Sequence, residues 1–129
     1  MKKLNLLVVV AIALSAATML YVAKTMDAQG TTITTITINI RVTNGKIHVS
    51  QDPVEVYPNQ QVAWASPDGK TFTVNFPNGG PFKAPSFSNA QNSNKKAEVP
   101  SGKATKGPGT YKYTVKVGNL TLDPQIIIK

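Results

Sequence analysis

No cysteine occurs in the 129 residues. Disulfides, zinc–thiolate sites, iron–sulfur clusters, c-type haem attachment and a cysteine nucleophile are therefore excluded. A blue-copper centre is excluded too, because its copper is bound by a thiolate. Histidine is nearly as scarce, with His48 standing alone, and only six residues are acidic. Most metalloenzyme and catalytic-triad chemistries need more parts than these. Arginine and tryptophan also occur once each, at Arg41 and Trp64. Lysine is what the chain has in excess. Lys and Arg number 14 against 6 Asp and Glu, a formal net charge of +8. The length suits one folded domain, since two would each be marginal.

Lys2 and Lys3 precede an uncharged stretch over residues 4–23. Its apolar centre is Leu6-Leu7-Val8-Val9-Val10-Ala11-Ile12-Ala13-Leu14, and the small residues Ser15, Ala16 and Ala17 follow. A positive start, a short apolar centre and small residues beyond it form the layout of a secretory signal peptide. Residues 6–23, stopped by Lys24, also suit an uncleaved membrane anchor at the short end of spanning lengths. No Ala-x-Ala stands at the ideal distance, so cleavage and anchoring both stay open. The run is apolar all round, unlike a surface helix of a globular domain. The expected organisation is a signal or anchor helix plus short linker over residues 1–30, and an exported domain over residues 31–129. That domain would lie in a periplasm or at a cell surface, touching membrane only through the N-terminal segment. Oxidising compartments permit disulfides without requiring them, so the missing cysteines do not conflict with export.

Residues 31–129 read as strands and turns. Ile36, Ile38, Ile40 and Val42 alternate with Thr37, Asn39 and Arg41, which puts one apolar face on a strand. Asn44-Gly45 marks a tight turn, since both residues tolerate positive φ. Ile47 and Val49 alternate around His48, and Val54 and Val56 around Glu55. Pro58-Asn59 and Pro67-Asp68-Gly69 are further turns. Val62 and Trp64 share a face, as do Phe72, Val74 and Phe76. The spacing places Trp64 as the plug between two sheets. Alternation fails over residues 77–108, which hold Pro77, Pro81, Pro85, Pro100 and Pro108 with several Gly, Ser, Asn and Lys. A stretch of that length is a functional loop or is partly disordered. Short pieces near Phe82, Phe87 and residues 97–99 are candidates to dock on the sheets. Tyr111, Tyr113, Val115 and Val117 then share one face, Gly118-Asn119 signals a hairpin, and Leu120, Leu122 and the run Ile126-Ile127-Ile128 complete the chain. Roughly seven short strands without a helical pattern predict an all-β sandwich. Trp64, Phe72, Tyr111 and Tyr113 are expected in or near its core. Prolines that interrupt a ladder are expected on edge strands.

Three pieces resemble the cupredoxin family of small Greek-key β-sandwiches. Pro58-Asn59-Gln60-Gln61-Val62-Ala63-Trp64 is similar to that family's Pro-turn-Val-x-Trp strand. Asp68 to Phe76 resembles the strand that carries its first copper-binding His. Gly107-Pro108-Gly109-Thr110-Tyr111-Lys112-Tyr113-Thr114-Val115 resembles the strand leading into its copper loop. The match spans about residues 33–129. It implies a Greek-key, plastocyanin-type sandwich and, in the family, electron transfer. The ligand positions carry other residues here. Phe72 stands at the first His, Val115 at the Cys and Gly118 at the second His, and the Met position falls within Leu120-Thr121-Leu122-Asp123. The resemblance therefore implies a scaffold without its metal, and fold alone does not carry the family's activity over.

Other chemistry has few supports. His48, alternating with Ile47 and Val49, is expected to face solvent or the rim, and one imidazole is too few for a metal site. Asp52, Glu55, Asp68, Glu98 and Asp123 lie at turns and loops far apart in sequence, with turn chemistry explaining Asp68 and Asp123. No Gly-x-Ser-x-Gly occurs, and Asn78-Gly79-Gly80-Pro81 lacks the Lys-Ser/Thr of a phosphate loop. Neither catalytic, cofactor-binding nor metal residues are predicted, and no enzyme activity is expected. The basic residues Lys83, Lys95, Lys96, Lys103, Lys106, Lys112 and Lys116 are candidates for a positive face, with Phe82, Phe87 and Tyr111 or Tyr113 as a flat surface beside it. Its partners would be an anionic surface, a polysaccharide or a protein. With a single Arg and no interleaved aromatics, nucleic acid is not expected. The expected function is a non-catalytic binding or structural module. A copper-handling or electron-transfer protein, and a polysaccharide-recognition module or small hydrolase, are the alternatives.

Overall fold

The alternating β-branched residues after position 31 build the longest strand, and the rest of the fold forms around it. The computed structural model describes residues 22–26 and 32–129. The strands among them are β1 (Val22–Met26), β2 (Thr32–Thr43), β3 (Lys46–Val49), β4 (Val54–Val56), β5 (Gln60–Ala65), β6 (Thr73–Asn75), β7 (Ser86–Ser88), β8 (Val99–Pro100), β9 (Gly109–Lys112), β10 (Thr114–Val117), β11 (Leu120–Leu122) and β12 (Gln125–Ile128). No helix occurs among the described residues, and none is long and apolar enough to cross a membrane. In β2, Ile38 and Ile40 are buried, Ile36 and Val42 pack half-buried against the core, and Arg41 is exposed. Asn44 and Gly45 turn the chain with φ of 53° and 71°, as a two-residue hairpin requires.

Two layers result. The first sheet has the order β1-β2-β5-β8, with β3 also paired to β2. β2 and β5 run parallel, with Ile38 opposite Trp64. The second layer contains β11-β10-β6-β7 and β4-β12-β9. One hairpin joins these two sets. Lys112 faces Gln125 and Val115 faces Leu122, a single register about Gly118-Asn119. The ladder is interrupted where Tyr113 and Thr114 come opposite Pro124 and Asp123, since proline has no N–H to donate. Tyr113 N instead donates to Pro124 O at 3.0 Å. The strand predicted as continuous from Gly109 to Val117 is thus divided at Tyr113 into β9 and β10.

The sheets pack as a sandwich around Trp64, which is fully buried. Its ring lies 5.0 Å from Phe87, 5.8 Å from Tyr113 and 6.3 Å from each of Phe76 and Phe82, centroid to centroid. Trp64 thus links the first sheet to the second, as the spacing predicts. Phe72 and Tyr113 are wholly buried and Tyr111 half-buried.

Residues 77–108 are tied down despite their lost periodicity. β7 pairs with β6, β8 with β5, and Phe82 bridges to Ala104. Thr105 N donates to Pro81 O at 2.7 Å, and Ser101 N to Val62 O at 2.8 Å. Pro100 sits on β8, the edge of its sheet, where a missing donor costs least.

Residues 1–21 and 27–31, which contain most of the expected signal or anchor helix and linker, lie outside the described residues. Val22–Met26, expected to end the apolar segment and begin the linker, instead forms β1. It pairs antiparallel with β2 from Val22 opposite Ile36 to Met26 opposite Thr32. That pairing satisfies backbone groups on an edge of β2 that would otherwise stay open.

Candidate functional site

The four positions matched to copper ligands gather at one end of the second layer. β6 and β10 pair with Val74 opposite Val115 and Thr73 opposite Lys116. Phe72 precedes β6 at the Gly118 end of this ladder. Phe72 and Val115 are both 0% exposed. Gly118, with φ of 59°, closes the turn between Val117 and Leu120, which face each other. Leu120 and Leu122 pack half-buried against the core. The donor test is decided by chemistry: a phenyl ring, an isopropyl group, a glycine and two leucines offer no lone pair to a cation. Asp123 is the carboxylate within the matched segment, and its Oδ1 accepts a hydrogen bond from Thr114 Oγ1 at 2.8 Å. These residues do not fit copper.

Two polar atoms sit unpaired inside the aromatic core, Trp64 Nε1 and Tyr113 Oη. Burial pushes the Tyr113 phenol up to about 12, and the charge of Asp52 adds to the rise. The neighbouring indole N–H favours the phenolate and offsets part of this. The two groups are close enough to interact but do not meet in good hydrogen-bond geometry, so neither counts as the other's partner.

The titratable residues elsewhere are dispersed. His48 is exposed and stands opposite Arg41 in the β2–β3 register. Arg41 Nη1 pairs with Asp68 Oδ1 at 3.1 Å. Asp52 Oδ1 accepts from Gln125 N at 3.0 Å, and Glu98 Oε1 from Thr37 Oγ1 at 2.6 Å. Glu55 Oε1 lies 3.7 Å from Lys129 Nζ. Among the described residues, no group of three or more His, Asp or Glu is placed to hold a metal ion.

The proposed basic face is rearranged by the fold. Phe82 and Tyr113 are core residues and Phe87 is half-buried against Trp64, so they do not form an exposed flat surface. The half-buried Tyr111 donates its hydroxyl to Gly107 O at 2.9 Å. Lys95 Nζ is held by Ala90 O and Asn92 O, each at 2.7 Å, and so fastens its own loop. Lys103 and Lys106 instead converge with Lys129 on a cleft of about 300 Å³, whose other walls include Tyr57, Pro58 and Pro108. Tyr57 is 50% exposed, the most open large hydrophobic side chain among the described residues. Its position follows from the local sequence. Pro58 and Asn59 occupy the centre of a turn closed by Gln60 N donating to Tyr57 O at 3.1 Å, and Asn59 has φ of 63°. Gln60 Oε1 also accepts from Tyr57 N at 2.8 Å. Lys129 is fixed from the other side, its N donating to Val56 O at 2.9 Å.

Tyr57 and Lys129 went unnoticed in the sequence pattern, since strand alternation marks Tyr57 merely as outward-facing. The available signal was the Tyr-Pro-Asn turn, which fixes an aromatic side chain beside a strand end. No protein-family model, curated protein or solved structure matches the chain.

Proposed function

We propose that the chain is an exported, metal-free domain of cupredoxin-like, Greek-key design, acting as a non-catalytic binding or structural module in a periplasm or at a cell surface. The observation that carries this is the complete burial of Phe72 and Val115 beside the Gly118 turn. Where the resembled family coordinates copper, this chain packs apolar side chains, and that packing stabilises the sandwich instead of a metal. Two features of the connectivity show crossovers between non-consecutive strands, compatible with this design. β2 pairs parallel with β5, and β4 parallel with β12, so neither pair is a simple hairpin. Export rests on the Lys2-Lys3 start and the apolar run that follows.

Titrating the purified full chain with Cu(II) tests the metal-free reading. The expected outcome is no stoichiometric site and no intense visible charge-transfer band. A one-to-one Cu(II) site would overturn it and return the domain to copper handling. Fractionating the producing cells tests export, and recovery of the chain wholly in the cytosol would refute that part.

A further inference from the structure

We infer that the export signal is cut after Ala17, so that Val22–Met26 stays in the mature domain as the strand that closes the β2 edge. The inference rests on the export reading above and names its processing site. Past the apolar centre, which ends at Leu14, small residues stand two apart at Ser15 and Ala17, and again at Ala28 and Gly30. Either pair meets the small-residue pattern that a signal peptidase reads. The sequence leaves both open, and the pairing of β1 decides between them.

β1 and β3 share one edge of β2. Successive residues of a strand turn their N–H and C=O groups to opposite sides. Thr34 N donates to Asn59 O at 3.0 Å, toward β5. Asn39, of the other parity, donates its N–H to Ser50 Oγ at 2.9 Å, and its C=O accepts from Ser50 N at 3.0 Å. Ile33 and Thr35 have the parity of Asn39, so their backbone groups point to β1, where they stand opposite Thr25 and Ala23. Thr35 is 5% exposed. A cut after Gly30 falls between Met26 and Thr32, which pair, and strips β1 away. The N–H and C=O groups of Ile33 and Thr35 would then lose their partners on an open edge. A cut after Ala17 keeps them paired. Hydrolysis of the Ala17–Thr18 amide consumes a water and leaves a carboxylate on Ala17 and an amine on Thr18.

The same register disfavours an uncleaved anchor. β1 leaves no spacer, so such an anchor would enter the bilayer directly upstream of Val22. β2 runs antiparallel to β1, and past Ile36 it continues to Thr43 for about 23 Å in the direction from which the chain arrives. The β2–β3 hairpin, with Arg41, Lys46 and His48 exposed, would be carried toward the hydrocarbon, where charge is costly.

Expression of the full chain in the producing cell, followed by N-terminal sequencing and intact mass of the exported fraction, tests this. The mature chain should begin at Thr18. Ala17→Phe should abolish the cut and leave the full-length chain in the membrane fraction, whereas Ala28→Phe should change nothing. Hydrogen exchange on the exported chain should show the Ile33 and Thr35 amides slowed by at least about a hundredfold relative to an unstructured chain. A chain that begins at Thr31, or at any residue other than Thr18, overturns the site, as does unchanged processing of Ala17→Phe. Rapid exchange at Ile33 and Thr35 overturns the retention of β1. Full-length chain in the membrane with its domain outside the cytosol would overturn the cut and leave export standing. Recovery wholly in the cytosol would overturn export itself.

Discussion

The side chain of Asn89 holds the backbone of Phe72, whose N–H donates to Asn89 Oδ1 at 2.8 Å. The same amide donates through Nδ2 to Lys70 O at 2.9 Å and Lys95 O at 2.8 Å. Asn89 is 0% exposed, so these groups have no water to fall back on. One side chain thus fastens the 89–97 loop to the strand entry that carries Phe72. Asn89→Ala would leave a buried N–H and two carbonyls without partners. The expected loss is about 3 kcal/mol in a urea titration. Asn89→Asp keeps the acceptor, loses both donors and buries a charge, so it should do no better. A loss below about 0.5 kcal/mol for Asn89→Ala would show that the loop is held by other means.

Trp64, on the first sheet, touches rings at the edges of the second layer and in the 77–108 segment. Trp64→Ala should therefore cost about 3–5 kcal/mol, and the transition should broaden if the surrounding rings collapse into the void. Guanidinium denaturation followed by far-ultraviolet circular dichroism measures this without needing the lost fluorophore. An unchanged midpoint would contradict the central packing of the indole.

How far these features were legible in the sequence varies with their physical origin. Period-two alternation exposed β2, β5 and β6 and placed Ile38, Trp64 and Val74 inside, because burial of one strand face repeats every second residue. The break at Tyr113 was hidden, since it depends on Pro124 arriving opposite through a register that a single strand does not encode. Asn89 was hidden for a related reason. Nothing local separates an asparagine in a polar loop from one whose amide is buried against a strand 17 residues away. The cleft lysines show the same limit: Lys106 and Lys129 are far apart along the chain, and only the closure of β12 beside the 101–108 segment brings them together.

The alkaline behaviour of Tyr113 follows from its burial. Its phenol is raised to about 12, chiefly by desolvation, whereas an unfolded tyrosine ionises near 10. A raised folded value means that its contribution to stability is complete below about pH 10 and is lost as pH climbs toward 12. Absorbance at the phenolate band should show one tyrosine ionising later than the rest, or only with unfolding. Tyr113→Phe removes both that titration and a buried hydroxyl without a partner. Its stability at neutral pH should match the parent or exceed it by about 1 kcal/mol, with unfolding shifted to higher pH. A loss above about 2 kcal/mol would mean that the hydroxyl has a partner after all.

Gly80 is needed for space rather than for its backbone conformation. It is buried, and a Cβ placed on it would collide with the ring of Phe76, closing to 2.6 Å from Cδ1. Phe76 cannot retreat easily, since its ring lies 5.4 Å from Tyr113 and 5.8 Å from Phe82. Its own N–H is bound to Pro85 O at 2.8 Å. Gly80→Ala should cost about 1–3 kcal/mol by overpacking. Gly102→Ala separates the two roles of glycine, because Gly102 has φ of 76° with nothing within 4 Å of the added carbon. Its penalty, about 1–2 kcal/mol, should arise from the left-handed backbone alone. A double-mutant cycle distinguishes the mechanisms. In a Phe76→Leu background the cost of Gly80→Ala should shrink, because the colliding ring is gone, whereas the cost of Gly102→Ala should stay the same. Equal costs for Gly80→Ala in both backgrounds would show that Phe76 is not what the glycine accommodates.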